Sequence, residues 1–260
     1  MQNKFKVPLA TLSLSLAMVI FYFLLSGGRT YITPLSAMYP LGVSSGNMIG
    51  ALTYTLTHIG LKHLIGNLAA FIVLGTILEQ RIDKWHASGI FLVSGVFGGA
   101  VYALIHPDVW VVGASTAIAG TLAAGLVAEP KKTLLAFVIV MFLVPSVVLP
   151  ATDYALDKLD EWKEQQALAA KERAAALALQ IKTGNYTNKT VAEKQSAEEM
   201  YGQTVQSQQS LQQGRSTEAA TPASMEIHVL GALFALGFLW LFDRGLVREQ
   251  WRRLVATLES

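Results

Sequence analysis

The chain has 260 residues, 52% of them apolar and only 15% charged, with a net charge of +2. That profile departs from a soluble domain and points to a membrane protein, while so even a charge balance gives no basis for nucleic-acid binding. With no cysteine, disulfides, thiolate catalysis and Cys-ligated zinc are excluded.

Six membrane spans are predicted, at roughly 7–25, 57–78, 87–105, 114–128, 133–149 and 225–242. A spanning helix needs about 20 mainly apolar residues, and it must be helical because lipid offers no partner to an open backbone group. The first segment is read as an uncleaved span, because its apolar core is about 18 residues long and no A-x-A cleavage site follows. Between spans 2 and 3 lie Arg81 and Lys84, and between spans 4 and 5 lie Lys131 and Lys132. Lys4 and Lys6 precede span 1, and Arg244, Arg248, Arg252 and Arg253 follow span 6, whereas the short connections of the opposite side carry only Arg29. The positive-inside rule then makes both termini cytoplasmic, and spans 2, 4 and 6 run from outside to inside. Gly95, Gly98 and Gly99 suit close packing of span 3, and Pro145 is expected to kink span 5.

The expected organisation is a core over residues 1–150, an extracytoplasmic insertion over 151–224, and a last span with a cytoplasmic tail over 225–260. In the insertion, residues 153–182 are rich in helix formers, and Leu156, Leu159, Trp162, Leu168 and Leu177 give a loose apolar stripe. After Gly184 the composition turns to Gln, Ser, Thr and Gly, and residues 202–224 read as flexible. Asn185 and Asn188 stand in glycosylation-type triplets. The insertion is expected either to be a solvated spacer or to cap the outer face as a protein-docking element.

Polar groups inside spans are costly and face a bundle interior or a cavity. Span 2 carries His58, His63 and Asn67, span 4 begins at Ser115, and span 6 carries His228. Ser115 lies 13 residues before Ala128, His228 14 before Phe242, and His63 15 before Leu78, or about 20–22 Å from the inner ends of their spans. In hydrocarbon about 30 Å thick, all three lie about 10 Å below the outer surface. One polar cluster is the economical interpretation, with the loop from His106 to Val112 dipping inward to reach Ser115. A serine beside a histidine suits nucleophilic catalysis, the imidazole taking the hydroxyl proton and returning it to the leaving amine. No intramembrane carboxylate orients His228, so a dyad is expected. His63, Asn67 and the Ser115 amide are placed to donate to the oxyanion. The plainer alternatives are small-residue helix packing for Ser115 and interhelical hydrogen bonding for the histidines and Asn67. His58 is expected to support the site or anchor a loop, and Glu79 to be a structural acceptor at a helix end.

These residues resemble the rhomboid family of intramembrane serine proteases. His58, His63 and Asn67 reproduce the H-x4-H-x3-N pattern of its second span, and Leu74-Gly75 with Glu79-Gln80-Arg81 resembles that span's ending. Gly113-Ala114-Ser115 and Gly120 resemble the nucleophile motif, and His228 with Gly231 the H-x-x-G of the last span. The resemblance implies an all-α polytopic bundle of six transmembrane helices. It also implies Ser115 as nucleophile, His228 as base, an oxyanion hole from His63, Asn67 and Ser115, no cofactor, and membrane-protein substrates cut near the outer ends of their helices. A multi-pass protein of a prokaryotic cell membrane is expected. The chain departs from the pattern at Thr116, where the family usually has glycine and where the side chain is expected either to crowd the nucleophile or to bond its hydroxyl back into the helix, and at Ala119, Ala235 and the 74-residue insertion. Two other functions remain open: a relative that binds transmembrane helices without cutting them, and a small transporter.

Overall fold

The computed structural model describes residues 6–27, 33–184, 187–219 and 225–258. Lys4, Arg29 and Asn185 therefore lie outside the described residues. Among those described there is no strand, only the isolated bridges Val43–Val111 and Ser44–Asn47. The chain divides into two compact units, Met1–Leu149 with Thr221–Ser260, and Pro150–Ala220.

The first unit is helical throughout. Helix α1 (Leu9–Ser26) is followed by the single turn α2 (Leu35–Met38) and two 3-10 turns, Met48–Leu52 and Tyr54–Leu56. Then come α3 (Leu61–Glu79), α4 (Lys84–Ile105), α5 (Ser115–Ala128) and α6 (Pro130–Leu143). Helices α7 (Leu149–Lys182) and α8 (Asn188–Ala219) precede α9 (Met225–Phe242) and α10 (Arg244–Leu258). Among the described residues, five helical segments are long and apolar enough to cross a membrane: α1, α3, α4, α9 and the segment Pro130–Lys182 that starts with α6. The outer faces meet lipid chemistry with apolar side chains, as at Leu12, Leu16, Ile20 and Phe23 of α1, all exposed.

Helix α5 has 14 residues, about 21 Å of rise, and is too short to cross alone. Its sequence, STAIAGTLAAGLVA, is small and apolar all round, and a helix of that kind belongs inside a bundle. It is indeed enclosed, packing on α3, α4, α6 and α9, with Thr116, Ala117, Gly120, Ala124 and Ala128 buried.

One end of the unit is joined by three consecutive residues. Glu79, buried at the C-terminus of α3, accepts from the backbone N–H groups of Ala10 (3.0 Å) and Thr11 (2.6 Å) and from the Thr11 hydroxyl (2.6 Å). A carboxylate at a helix N-terminus satisfies donors that have no intrahelical partner and meets the positive end of the dipole; here it caps α1, which starts after Pro8 with no side-chain cap of its own. Gln80 exchanges two hydrogen bonds with the Lys6 backbone, at 3.0 and 2.9 Å. Arg81 is ion-paired with Glu129 at the junction of α5 and α6. Asp83 then caps α4 through the Trp85 and His86 N–H groups, and the His86 ring beside it, with those N–H donors, holds its carboxyl below the usual carboxylate range.

Two expectations are corrected. Span 2 begins as a helix only at Leu61, after the extended Gly60, so His58 sits in the preceding loop and not on the helix with His63. Residues 202–219, read as flexible, belong to helix α8, which runs to Ala219, and 220–224 lie outside the described residues. At Pro145 the segment takes a π turn over Val144–Val148. The tail after span 6 is helix α10, an element the reading of the sequence did not contain.

The second unit contains α7 and α8. Leu156, Ala167, Ala170 and Ala174 are buried along one face of α7, and Ala197 is buried in α8. The two helices meet through Arg173 and Glu193 (3.6 Å) and through Lys171 over the Tyr201 ring (5.7 Å), pairings that fit an antiparallel hairpin.

Candidate active site

Ser115 is the first residue of α5, and the chain reaches it through a loop held on both sides by protein. Val111 exchanges two backbone hydrogen bonds with Val43, both at 3.0 Å, and the Gly113 N–H donates to the Tyr54 carbonyl at 2.8 Å. The Tyr54 side chain is itself fully buried, its hydroxyl donating to the Gly95 carbonyl at 2.8 Å. Ser45 donates to the Pro107 carbonyl at 2.8 Å, and Trp110 packs on Tyr39 with ring centroids 5.0 Å apart. Non-helical backbone is tolerated at membrane depth only where protein satisfies it, and these contacts do so.

Gly113 is the pivot of the loop. Its φ of +111° lies where side chains are strongly disfavoured. A Cβ there would also fall 2.6 Å from His63 Cε1, 2.8 Å from His63 Nε2 and 3.6 Å from Asn67 Nδ2. The loop that leads into Ser115 thus runs directly against His63 and Asn67, which lie one turn apart on α3.

His58 holds that pair from behind. It is fully buried. Its Nδ1 lies 3.3 Å from the Leu56 carbonyl and its Nε2 3.0 Å from Asn67 Nδ2. A carbonyl only accepts, so Nδ1 carries the proton and Nε2 accepts from the Asn67 amide. Asn67 keeps its second N–H for another acceptor. The His58 backbone carbonyl accepts from the Thr33 hydroxyl at 2.8 Å, and its ring meets that of His63 edge to face at 5.2 Å.

His228 enters through α9. This helix touches α5 at Gly231, where a Cβ would fall 2.2 Å from the Thr116 carbonyl oxygen and 2.9 Å from Thr116 Cγ2. On α4, a Cβ at Gly98 would fall 2.7 Å from Thr116 Cγ2 and 3.2 Å from the Gly231 nitrogen. At Gly120 it would meet Ser94 Oγ at 2.0 Å and the Gly231 carbonyl at 3.0 Å. Three helices therefore close on one another through Gly98, Gly120 and Gly231, as small-residue interfaces do in membranes. His228 is three residues before Gly231, on the same face and about 4.5 Å along the axis. Ser115 immediately precedes Thr116. Ser115 and His228 are each half-buried.

Thr116 faces away from the loop, into the bundle. Its side chain is buried between α4 and α9, with the methyl on the bare faces of Gly98 and Gly231. Ala235 is fully buried one turn further along α9, in a cluster with Ala124, Ala128 and Leu239. Glu79 lies at the opposite end of α3 from His63, engaged with α1. The contribution of Tyr54 was not legible, since nothing in its sequence neighbourhood marks a carbonyl that receives the Gly113 N–H. Likewise His106, read as an ordinary loop residue, closes α4 and pairs with Glu226 in the first turn of α9, Nε2 to Oε2 2.7 Å.

Comparison with known proteins agrees with this architecture. Residues 45–160 match the family model described as the Rhomboid domain. RHOMBOID-like protein 7 of Arabidopsis thaliana is 37% identical over 75 residues, which are 29% of this chain. The match spans 24% of that relative's length. No solved structure gives a significant match.

Proposed function

Residues 45–160 of this multi-pass helical membrane protein are a rhomboid domain, and from that premise we propose that the chain is an intramembrane serine endopeptidase. Ser115 Oγ attacks the carbonyl carbon of a peptide bond while His228 takes its proton. The negative charge that develops on the carbonyl oxygen is met by the Ser115 N–H, by the free N–H of Asn67 and by His63. His228 then protonates the departing amine, and water, activated by the same imidazole, releases the acyl group from Ser115 as a carboxylic acid. One oriented donor to such an oxyanion contributes about 3–4 kcal/mol to lowering the barrier. A helical peptide bond is shielded by its own turn, so substrates with helix breakers near the outer ends of their transmembrane helices are favoured. Both termini face the cytoplasm in this reading, because Lys84, Lys131, Lys132 and the arginines of α10 gather at the end of the bundle away from Ser115.

The observation that carries the proposal is the approach of Gly113 to His63 and Asn67, two residues before Ser115. Helix packing alone does not require two polar side chains beside the head of α5, and their presence supports reading them as donors. The test is incubation of the purified protein in detergent with a generic transmembrane substrate. Cleavage that disappears in S115A and in H228A supports the reading, and labelling of Ser115 by a fluorophosphonate supports it independently. A second reading, a helix-binding relative that does not cut, is favoured by Thr116 in place of the family's glycine; it predicts substrate capture with neither cleavage nor labelling.

A further inference from the structure

Helix α10 starts at Arg244, separated by the single residue Asp243 from the end of the apolar α9 at Phe242, with the Asp243 carboxylate capping it through the Leu246 N–H at 3.1 Å. It does not run on away from the bundle. Leu246 and Val247 pack against the cluster formed by Ala87, Ala124, Ala128 and Leu239, and the Gln250 side chain donates to the Ala128 carbonyl at 3.1 Å. The helix therefore lies across the C-terminal ends of α5 and α9.

With that face committed, the remainder is basic and aromatic. Arg244, Arg248 and Arg252 stand at successive i, i+4 positions, all exposed. Trp251, 66% exposed, sits beside that stripe, between it and the packed face. Arg244 stacks over the exposed Trp240 ring at 4.7 Å. At the same end, Lys84 lies over the exposed Trp85 ring at 5.3 Å, and Lys131 and Lys132 are exposed. Glu249 falls off the arginine stripe. Indole rings with Lys and Arg at the ends of membrane helices mark the headgroup level, a layer about 5–7 Å deep on each side of the hydrocarbon. The three arginines span about 12 Å along a helix lying at that level.

We propose that α10 docks on anionic phospholipid headgroups, with Arg244, Arg248 and Arg252 as the phosphate-facing stripe and Trp251 inserted at the boundary. The charge complementarity is that of a basic juxtamembrane segment, and each arginine near the surface adds attraction that salt screens. The proposal is independent of the peptidase reading.

The test is fluorescence quenching of Trp251 in the full chain reconstituted into phosphatidylcholine vesicles. The vesicles carry, at equal mole fraction, either brominated phosphatidylglycerol or brominated phosphatidylcholine, and the signal of W251F is subtracted. Quenching at least about twofold greater with the anionic lipid is expected, with the preference lost in about 1 M salt. The preference should also vanish in R244Q/R248Q/R252Q and persist in R244K/R248K/R252K. Equal quenching by the two lipids overturns the proposal, and so does an absence of quenching, which would place Trp251 in water or on a protein partner. The salt arm needs no variant and decides the matter even if the triple glutamine substitution prevents folding.

Discussion

Gly113 and His63 are so close that no side chain fits between them: a Cβ on the glycine would stand 2.6 Å from His63 Cε1. In G113A the loop must shift or the imidazole must turn away. The positive φ adds about 1–3 kcal/mol of strain. Cleavage by the purified variant is expected to fall by more than about tenfold, since that strain and the lost donor act on the same barrier, while labelling of Ser115 falls in step. Unchanged turnover would remove His63 from the reaction.

If Ser115 and His228 act as one unit, their substitutions do not add. S115A and H228A should each abolish cleavage, and the double variant should be no worse than either. Comparing the residual rates of all three in one detergent checks this. Independent, multiplicative losses would mean that His228 serves a different step.

His58 is expected to matter through Asn67. N67A removes the donor itself and should lower kcat by about 10²–10³-fold. H58A should lower it less, and substrate KM should stay nearly constant in both, because the amide acts on charge that exists only after attack. Steady-state kinetics in micelles separates the two parameters; a rise in KM alone would assign the pair to substrate binding.

Thr116 fills the space left by two glycines. T116G removes the whole buried side chain, hydroxyl as well as methyl, and adds backbone freedom, together about 1–3 kcal/mol. T116S keeps the hydroxyl and loses only the methyl. The expected order of melting temperature, by thermal shift in detergent, is wild type, T116S, T116G. A more stable T116G would show that the methyl is crowded there.

Glu79 should be a stability residue with no part in chemistry. E79A strands the Ala10 and Thr11 amides and the Thr11 hydroxyl, at a cost of about 2–3 kcal/mol. E79Q keeps an acceptor and should cost less. Melting temperature should drop in that order, with turnover of the folded fraction preserved. Loss of turnover at unchanged melting temperature would contradict it.

Much of this site was legible because it follows helical spacing. His63 and Asn67 share a face by their separation of four, Gly231 announces a close contact, and the short apolar stretch after Ser115 requires a loop that dips. That His58 stands off the helix was not legible, because its apolar run continues without a break into that of His63, while Gly60 adopts an extended conformation before the helix starts. Helix α8 was hidden by its polar composition, which has no apolar stripe; its register comes from pairing with α7 through Arg173 and Tyr201. Helix α10 was hidden for the opposite reason: its arginines read as a topology signal and masked the packing face of Leu246, Val247 and Gln250.

Glu79, Gln80 and Arg81 reach three different parts of the chain from three adjacent positions. Substituting any one of them loosens one attachment. Adding or deleting a single residue between them would rotate the rest by about 100° and break two attachments at once. A change of length at this corner is therefore expected to cost more than a change of any one side chain.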